Sequence, residues 1–408
     1  MSTETNKLPN AELRPSPSNR LSWRKFLIFC SIPVLSLIAT AELCLRIGGF
    51  SFNPHDLNKS LFIPDSQGWF TTNPQYLDHP LYNPSDACRN QRFQFSKAPG
   101  SIRIALVGGS TVWELGDASP LRDALAKTLH RPIEIINMGV LGCGSDRDLR
   151  SVQEALGLSV DAVVLYTGHN EFISNSNPNR FASPMFGQRL IVSHSRIVQL
   201  VWWLLDRTLE SSPTGNAGIP KKAYTDSEKE LVYAQFEQNV QSMVAACQNR
   251  GVPIVIATAA SNLRMPTGTS RAVPKAEVER LVRDVQMSGN SPLALERRMA
   301  FYWGMLLADK LQRPQDAIPF LEQALLDHRR PERANRRTNA ILKDTASRND
   351  VLLVDVEAAV SAKASDGIPG FDLFRDNCHL TERGYAIVQE AIAMQVESLF
   401  TPRATIMP

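Results

Sequence analysis

The stretch Ile102–Gly116, "IRIALVGGSTVWELG", decides the fold. Its first six residues are mostly aliphatic, and they stop abruptly at two glycines, a serine and a threonine before a helical pattern begins. Ser110 there is either the cap of the next helix or a nucleophile at the end of a strand. Four further runs share the character of the first: "IEIINM" (133–138), "AVVLYT" (162–167), "PIVIAT" (253–258) and "VLLVDV" (351–356). Nearly continuous apolar runs of this length fit strands buried on both faces of a parallel sheet. Helical patterns fall between them, among them "PLRDALAKTLH", "DRDLRSVQEALGL" and "KELVYAQFEQNVQSMVAACQNRG", the last closed by glycine. The alternation predicts a three-layer α/β/α fold around a five-stranded parallel sheet.

The chain has 408 residues, 43% of them hydrophobic and 21% charged, enough to bury a sizeable core. A formal net charge of +3, with no long basic run interleaved with aromatics, argues against a nucleic-acid partner. Residues 1–25 read as a polar, disordered cytoplasmic tail. Arg20, Arg24 and Lys25 then lead into "FLIFCSIPVLSLIATA" (26–41), which with "LCLRIGG" is long enough for a transmembrane anchor over 26–48. Positive charge before the run places the tail in the cytoplasm and the rest of the chain outside it. Ala39-Thr40-Ala41 offers the competing reading of a cleaved signal peptide, but the leader before the apolar run is long for one. Of six cysteines, Cys88, Cys143, Cys247 and Cys378 fall on the exported side, and no pair has metal-ligand spacing.

Residues 49–100 lack clear periodicity and are expected to form an extended lead-in to a domain over 101–400. Two helical insertions are expected within that domain. The first, 171–225, carries "RLIVSHSRIVQLVWWLLDRTL", whose aromatics suit core packing or contact near a membrane. The second, 273–345, carries "AFYWGMLLADKLQRPQDAIPFLEQALLDH", a helix-turn-helix with the spacing of one tetratricopeptide-like unit.

In an open parallel sheet, ligands bind at the carboxyl ends of the strands. Gly108-Gly109-Ser110-Thr111 follows the first strand and "NMGVLGCGSD" the second, while "TGHNEF" with His169 and Asn170 follows the third. "AASNLRMP" with Asn262 and Arg264 follows the fourth, and "FRDNCHLTERGY" with Asp376 and His379 the fifth. Singly these are caps and turns, and a phosphate loop is disfavoured because its lysine is missing. Together they supply an acyl-transfer site. A serine needs an imidazole to take its proton, and the imidazole needs an acid to fix its tautomer. Asp376 and His379 are three apart, so one helical turn would bring their side chains together. Backbone N–H groups and an asparagine amide would then hold the oxyanion.

This set of blocks resembles the SGNH, or GDSL-like, hydrolase superfamily. "GGST" stands for the GDS block, "NMGVLGCG" for the glycine block, "TGHNE" for GxND and "DNCH" for DxxH. The resemblance implies Ser110 as nucleophile, His379 as base and Asp376 as its orienting acid. It implies an oxyanion hole from Ser110, Gly142 and Asn170, with Gly139 the alternative glycine. Gly109 and Glu171 stand where the family often has aspartate. No metal or organic cofactor is implied. The implied substrate is a small acyl ester, such as acetyl on an envelope polysaccharide or peptidoglycan. The insertion, "NLRMP", "HRRPERANRRTN" and "DGIPGFDLF" further resemble a membrane-anchored group with a tetratricopeptide-like insert.

Further candidates surround the site. His169, Asn262, Arg264 and Arg333 are substrate-binding candidates, Arg333 together with Asn339 for an anionic or sugar group. Arg329, Arg330, Arg333, Arg336 and Arg337 otherwise read as a solvated helix face. Cys143 and Cys378 are expected near one another as a disulfide or thiol pair. The leading reading is a membrane-anchored extracytoplasmic serine esterase. The alternatives are an O-acyltransferase using the same residues, or a non-catalytic envelope protein that binds glycans or a protein partner through its helical insert.

Overall fold

A computed structural model describes residues 23–48, 60–73, 88–173, 195–201, 204, 223–266, 280 and 300–401. The chain divides into two compact units, Met1–Asn53 with Leu190–Pro213, and Pro54–Arg189 with Thr214–Pro408. In the first unit, α1 (Trp23–Ile47) is a single helix with Pro33 inside it. Its Phe29–Ile47 stretch is, among the described residues, the one helix long and apolar enough to cross a membrane.

The second unit holds the sheet. Before it come three short strands, β1 (Phe62–Pro64), β2 (Trp69–Thr72) and β3 (Arg92–Gln94), paired antiparallel in that order. The lead-in thus carries a small meander, which strands of three or four residues leave without readable periodicity. Glu154 fixes one end of it by accepting from the N–H groups of Leu61 (2.8 Å) and Phe62 (2.9 Å). Arg103, fully buried, fixes the other by donating to the carbonyls of Gln94 (2.8 Å) and Phe95 (3.2 Å) while pairing with Glu134 (2.7 Å).

The main sheet comprises β4 (Ile102–Gly108), β5 (Ile133–Gly139), β6 (Ala162–Tyr166), β7 (Ile254–Ala257) and β8 (Leu352–Val354). All pairings are parallel, in the order β5-β4-β6-β7-β8, with β4 registering Gly108 against Gly139 and Tyr166. Alternate strand residues feed two cores, as the two-residue period of a strand requires. Ala105, Val107, Val163, Leu165 and Ile256 pack with α4 (Ser145–Ala155), α5 (Asp226–Asn249) and α8 (Arg336–Arg348). Ile104, Leu106, Val164 and Val255 pack with α3 (Ser119–Leu129), α9 (Val356–Lys363) and α10 (Glu382–Phe400) on the other face. The three-layer α/β/α fold with a five-stranded parallel sheet is therefore present.

A third cluster joins α6 (Ala300–Asp309) to α7 (Pro314–Asp327), in the place where the helix-turn-helix was expected. Gly304 lets the pair close, since a Cβ there would lie 2.7 Å from the Leu321 side chain. Most of the first insertion, and 273–299 apart from residue 280, lie outside the described residues.

Candidate active site

β4 ends directly below Ser110, the first residue of α2 (Ser110–Trp113). This short helix sits tightly on the sheet because the flanking residues lack side chains. A Cβ on Gly108 would lie 2.0 Å from the Tyr166 carbonyl oxygen, and one on Gly139 would lie 2.3 Å from the Trp113 nitrogen. Ser110 opens the helix, and no side chain caps its N-terminus, so the serine is not present as a cap.

The Ser110 hydroxyl is instead 2.8 Å from His379 Nε2, and His379 Nδ1 is 2.6 Å from Asp376 Oδ2. The other Asp376 oxygen accepts the N–H groups of Cys378 (2.9 Å) and His379 (2.8 Å). Asp376 and His379 therefore meet in a tight turn that the carboxylate itself holds, before α10 begins, and not on one turn of helix. A bridge between Phe374 and Leu380 closes that turn. Burial pushes the Asp376 carboxyl up, but the N–H groups of His379 and Cys378 and the imidazole outweigh it and hold it below its usual range. An ionised acid thus faces Nδ1, which leaves Nε2 to accept the serine proton. Asp376, Cys378 and His379 also present three metal-type ligand atoms within 4.8 Å. The carboxylate and imidazole atoms of that set are hydrogen-bonded to each other.

The candidate oxyanion residues lie on neighbouring loops. Asn170 is buried and donates from Nδ2 to the Cys143 carbonyl (2.9 Å). Gly142 is exposed with φ +65°, a conformation that favours glycine, whereas Gly139 is buried beneath α2. This separates the two glycines left open by the sequence: only Gly142 has an accessible position. Gly109 also acquires a reason. A Cβ there would lie 2.8 Å from Asn170 Nδ2, so an aspartate in its place would displace the Asn170 amide.

The other candidates take structural places. Asn262 is fully buried, donating to the Asp376 carbonyl (2.9 Å) and, from its own N–H, to the Asn377 carbonyl (3.0 Å); it anchors the histidine turn. Arg264 pairs with Asp309 (2.6 Å) and with Asp366, tying α6 to the 366–370 loop. Arg333 is buried and donates to the Met265 carbonyl (2.6 Å), and burial lowers it to about 10. Asn339 exchanges two hydrogen bonds with the Ala259 backbone. His169 accepts the Ala334 N–H at Nδ1 (3.2 Å). Burial, then the charges of His379 and Arg333, lower its pKa to about 3, so it stays neutral. Arg336 donates to Gln323 (2.5 Å) and Arg337 to Glu230 (3.3 Å). Cys143 and Cys378 are both free. The Cys143 thiol contacts Asp148 (3.4 Å), while that of Cys378 lies 3.9 Å from His379 Nδ1, so the expected disulfide is absent.

Two groups went unread in the sequence. Glu114 accepts from Tyr385 (2.6 Å) and pairs with Arg375, linking the exit of α2 to the histidine turn. Behind the oxyanion loop, Glu171 accepts from the Ser145 hydroxyl (2.7 Å) and N–H (3.1 Å), Asn239 donates to Ser145 (3.0 Å), and Thr167 donates to Asp148 (2.5 Å). The only signal in sequence was an acidic residue directly after Asn170.

Burial pushes Glu171 up to about 8 and Asp148 up to about 7, against the hydrogen bonds of Ser145 and of Thr167 with Cys143. Unfolded, the two titrate at 4.5 and 3.8, so the folded chain holds protons that the unfolded chain has released. Stability is therefore expected to fall as pH rises through this window, by up to about 1.4 kcal/mol per pH unit for each group. Thermal unfolding of the full chain in detergent should show a lower Tm at about pH 8 than at about pH 5.5. Glu171→Gln should flatten that difference. An undiminished slope in the variant would rule out Glu171 as a source.

A three-layer α/β fold with a serine, histidine and aspartate bonded in series at the carboxyl end of its sheet defines a serine acylhydrolase site of SGNH type. The family model of the GDSL-like lipase/acylhydrolase family matches residues 106–387, more than half of the chain, and the chain belongs to that family. It is a serine hydrolase that acts on ester bonds. Among solved structures it is similar to a GDSL-like lipase from Bacteroides thetaiotaomicron, at 13% identity and a TM-score of 0.34, over 73% of this chain and 88% of that one. It is also similar to a catalytic mutant of an acetylxylan esterase from Geobacillus stearothermophilus, at 13% identity and a TM-score of 0.37, over 72% of this chain and 94% of that one. The family assignment rests on the family match and the bonded site, not on these likenesses. No curated protein matches the chain.

Proposed function

We propose that this esterase is held in the membrane by α1, works outside the cytoplasm, and removes a small acyl group such as acetyl from an envelope glycan. The observation that carries the catalytic part is the unbroken series Ser110–His379–Asp376, with contacts of 2.8 and 2.6 Å. In this reading Ser110 Oγ attacks the ester carbonyl carbon while His379 Nε2 takes its proton. The oxyanion accepts hydrogen bonds from the N–H groups of Ser110 and Gly142 and from Asn170 Nδ2. Collapse expels the alcohol, protonated by His379, and leaves an acyl-serine. Water, deprotonated by the same imidazole, then releases the acid and restores Ser110.

Location rests on the apolar Phe29–Ile47 helix and on the basic residues Arg24 and Lys25 at its start. The substrate class rests on the family and on the polar character of the site residues, Asp376 and Asn377 being half-buried and Gly142 exposed. Acetate release from an O-acetylated glycan oligosaccharide by the full chain in detergent tests it. Turnover of 4-nitrophenyl acetate should exceed that of the octanoate by roughly tenfold or more, since a longer acyl chain would need an apolar slot. Preference for the octanoate, or no acetate from the glycan, would overturn the substrate reading. Acetyl transfer to a second sugar in place of acetate release would assign the site to an O-acyltransferase.

A further inference from the structure

The apolar anchor carries one acidic residue, Glu42, and its partners lie in the first insertion. Its carboxylate accepts from the Ser195 hydroxyl (3.1 Å), the Arg196 N–H (2.9 Å) and the Ile197 N–H (3.0 Å), and from Arg46 on its own helix (2.9 Å). Arg196 and Ile197 open a helix described at 196–201 and 204. The first N–H groups of a helix have no partner within it, and a carboxylate placed there also complements the positive end of the helix dipole. One contact thus satisfies a charge on the anchor and the open donors of a second segment more than 150 residues away in sequence. Inside a bilayer, where water supplies no hydrogen bonds, both sides need this.

The side chains of the second helix are arranged inversely to those of a water-facing helix. Gln199 is 1% exposed and accepts from Arg196 (2.8 Å), whereas Val201 and Leu204 are each 49% exposed. No charged residue occurs from Ile197 to Leu205, a run of nine residues that also contains Trp202 and Trp203. From Arg196 to Leu204 the described helix spans roughly 13 Å, too short to cross a bilayer but long enough to lie in one leaflet. Glu42 follows the apolar run at the end away from the basic Arg24 and Lys25, which places the contact in the outer leaflet.

We propose that the helix opening at Ser195 is a second membrane contact, clasped to the anchor by Glu42 and covered on its apolar face by lipid acyl chains. The proposal rests on the reading of α1 as a membrane anchor. Continuity with that anchor, none of whose Phe29–Ile47 stretch is buried, is the reason for choosing lipid over a protein partner.

The test uses the full chain, with Trp23→Phe to silence the anchor's own tryptophan, in phosphatidylethanolamine/phosphatidylglycerol vesicles. Some vesicles carry a lipid brominated on its acyl chains near the headgroup. The brominated lipid is expected to quench part of the tryptophan emission, and further replacement of Trp202 and Trp203 by Phe should abolish that quenching. Glu42→Ala should reduce it about twofold or more while the chain stays in the membrane after carbonate extraction. A chain that resists carbonate extraction but shows no quenching keeps its anchor and refutes the second contact, pointing to protein over that face. Unchanged quenching in Glu42→Ala refutes the clasp. Release of the chain by carbonate would overturn the anchor and, with it, this proposal.

Discussion

Replacing Ser110 with Ala is expected to lower kcat/KM for 4-nitrophenyl acetate by about 10⁴- to 10⁶-fold and to leave KM and Tm near their starting values. The size follows from what the hydroxyl does. In the proposed reaction it is the one atom of the serine–histidine–aspartate series that bonds to the substrate, and without it the imidazole has no proton to take. The residual rate would come from the oxyanion donors and from binding alone. Stability should hold because the Ser110 hydroxyl is bonded to His379 (2.8 Å) and the residue is half-exposed, so alanine leaves no buried partner stranded. A fluorophosphonate probe gives an independent reading. It should attach to Ser110 in the native chain, located by peptide mass, and to no serine in Ser110→Ala. A variant retaining a tenth of native turnover, or a native chain that folds yet takes no label on Ser110, would remove the serine from the mechanism.

The sheet and the histidine–serine pairing were legible because both leave a local trace. Strands buried on both faces must be apolar at nearly every position, and the loops after them must carry whatever chemistry the fold performs. The limits of that reading appear at particular residues. Asn262, Arg264 and Arg333 follow strands or precede them as substrate-binding residues would, yet the Asn262 and Arg333 side chains hold backbone carbonyls and that of Arg264 pairs with Asp309 and Asp366. Spacing places a residue on a loop but not the direction of its side chain. Glu171 looked like a minor variant of the usual aspartate, yet it is buried and holds Ser145 by two hydrogen bonds. The departure at Gly109 is explained only by a contact with Asn170, sixty-one residues on, which no local pattern carries. The β1–β3 meander was missed because its strands are too short to show a period.

Asp376→Asn is expected to lower kcat by about 10⁴-fold, close to the effect of losing the serine's base altogether. Asp376 does two jobs with two oxygens. Oδ1 takes the N–H groups of Cys378 and His379, which shapes the turn, and Oδ2 faces His379 Nδ1 at 2.6 Å. An amide has only one oxygen to offer. If it stays with the two N–H groups, the –NH₂ points at Nδ1 and stabilises the tautomer whose proton sits on Nε2. That nitrogen can then no longer accept from Ser110, and fluorophosphonate labelling should slow with kcat. If the amide flips, its –NH₂ confronts two backbone donors and the turn opens, which should lower Tm as well. The first outcome is favoured, because the turn is also held by the Phe374–Leu380 bridge, by Asn262 and by the Arg375–Glu114 pair. Asp376→Ala removes the acceptor from both N–H groups and should therefore cost both activity and stability, by roughly 1–3 kcal/mol for the stranded donors. Measuring kcat, labelling rate and Tm across the two variants separates tautomer control from scaffolding. An Asn variant within tenfold of native kcat would mean that His379 takes its orientation from elsewhere.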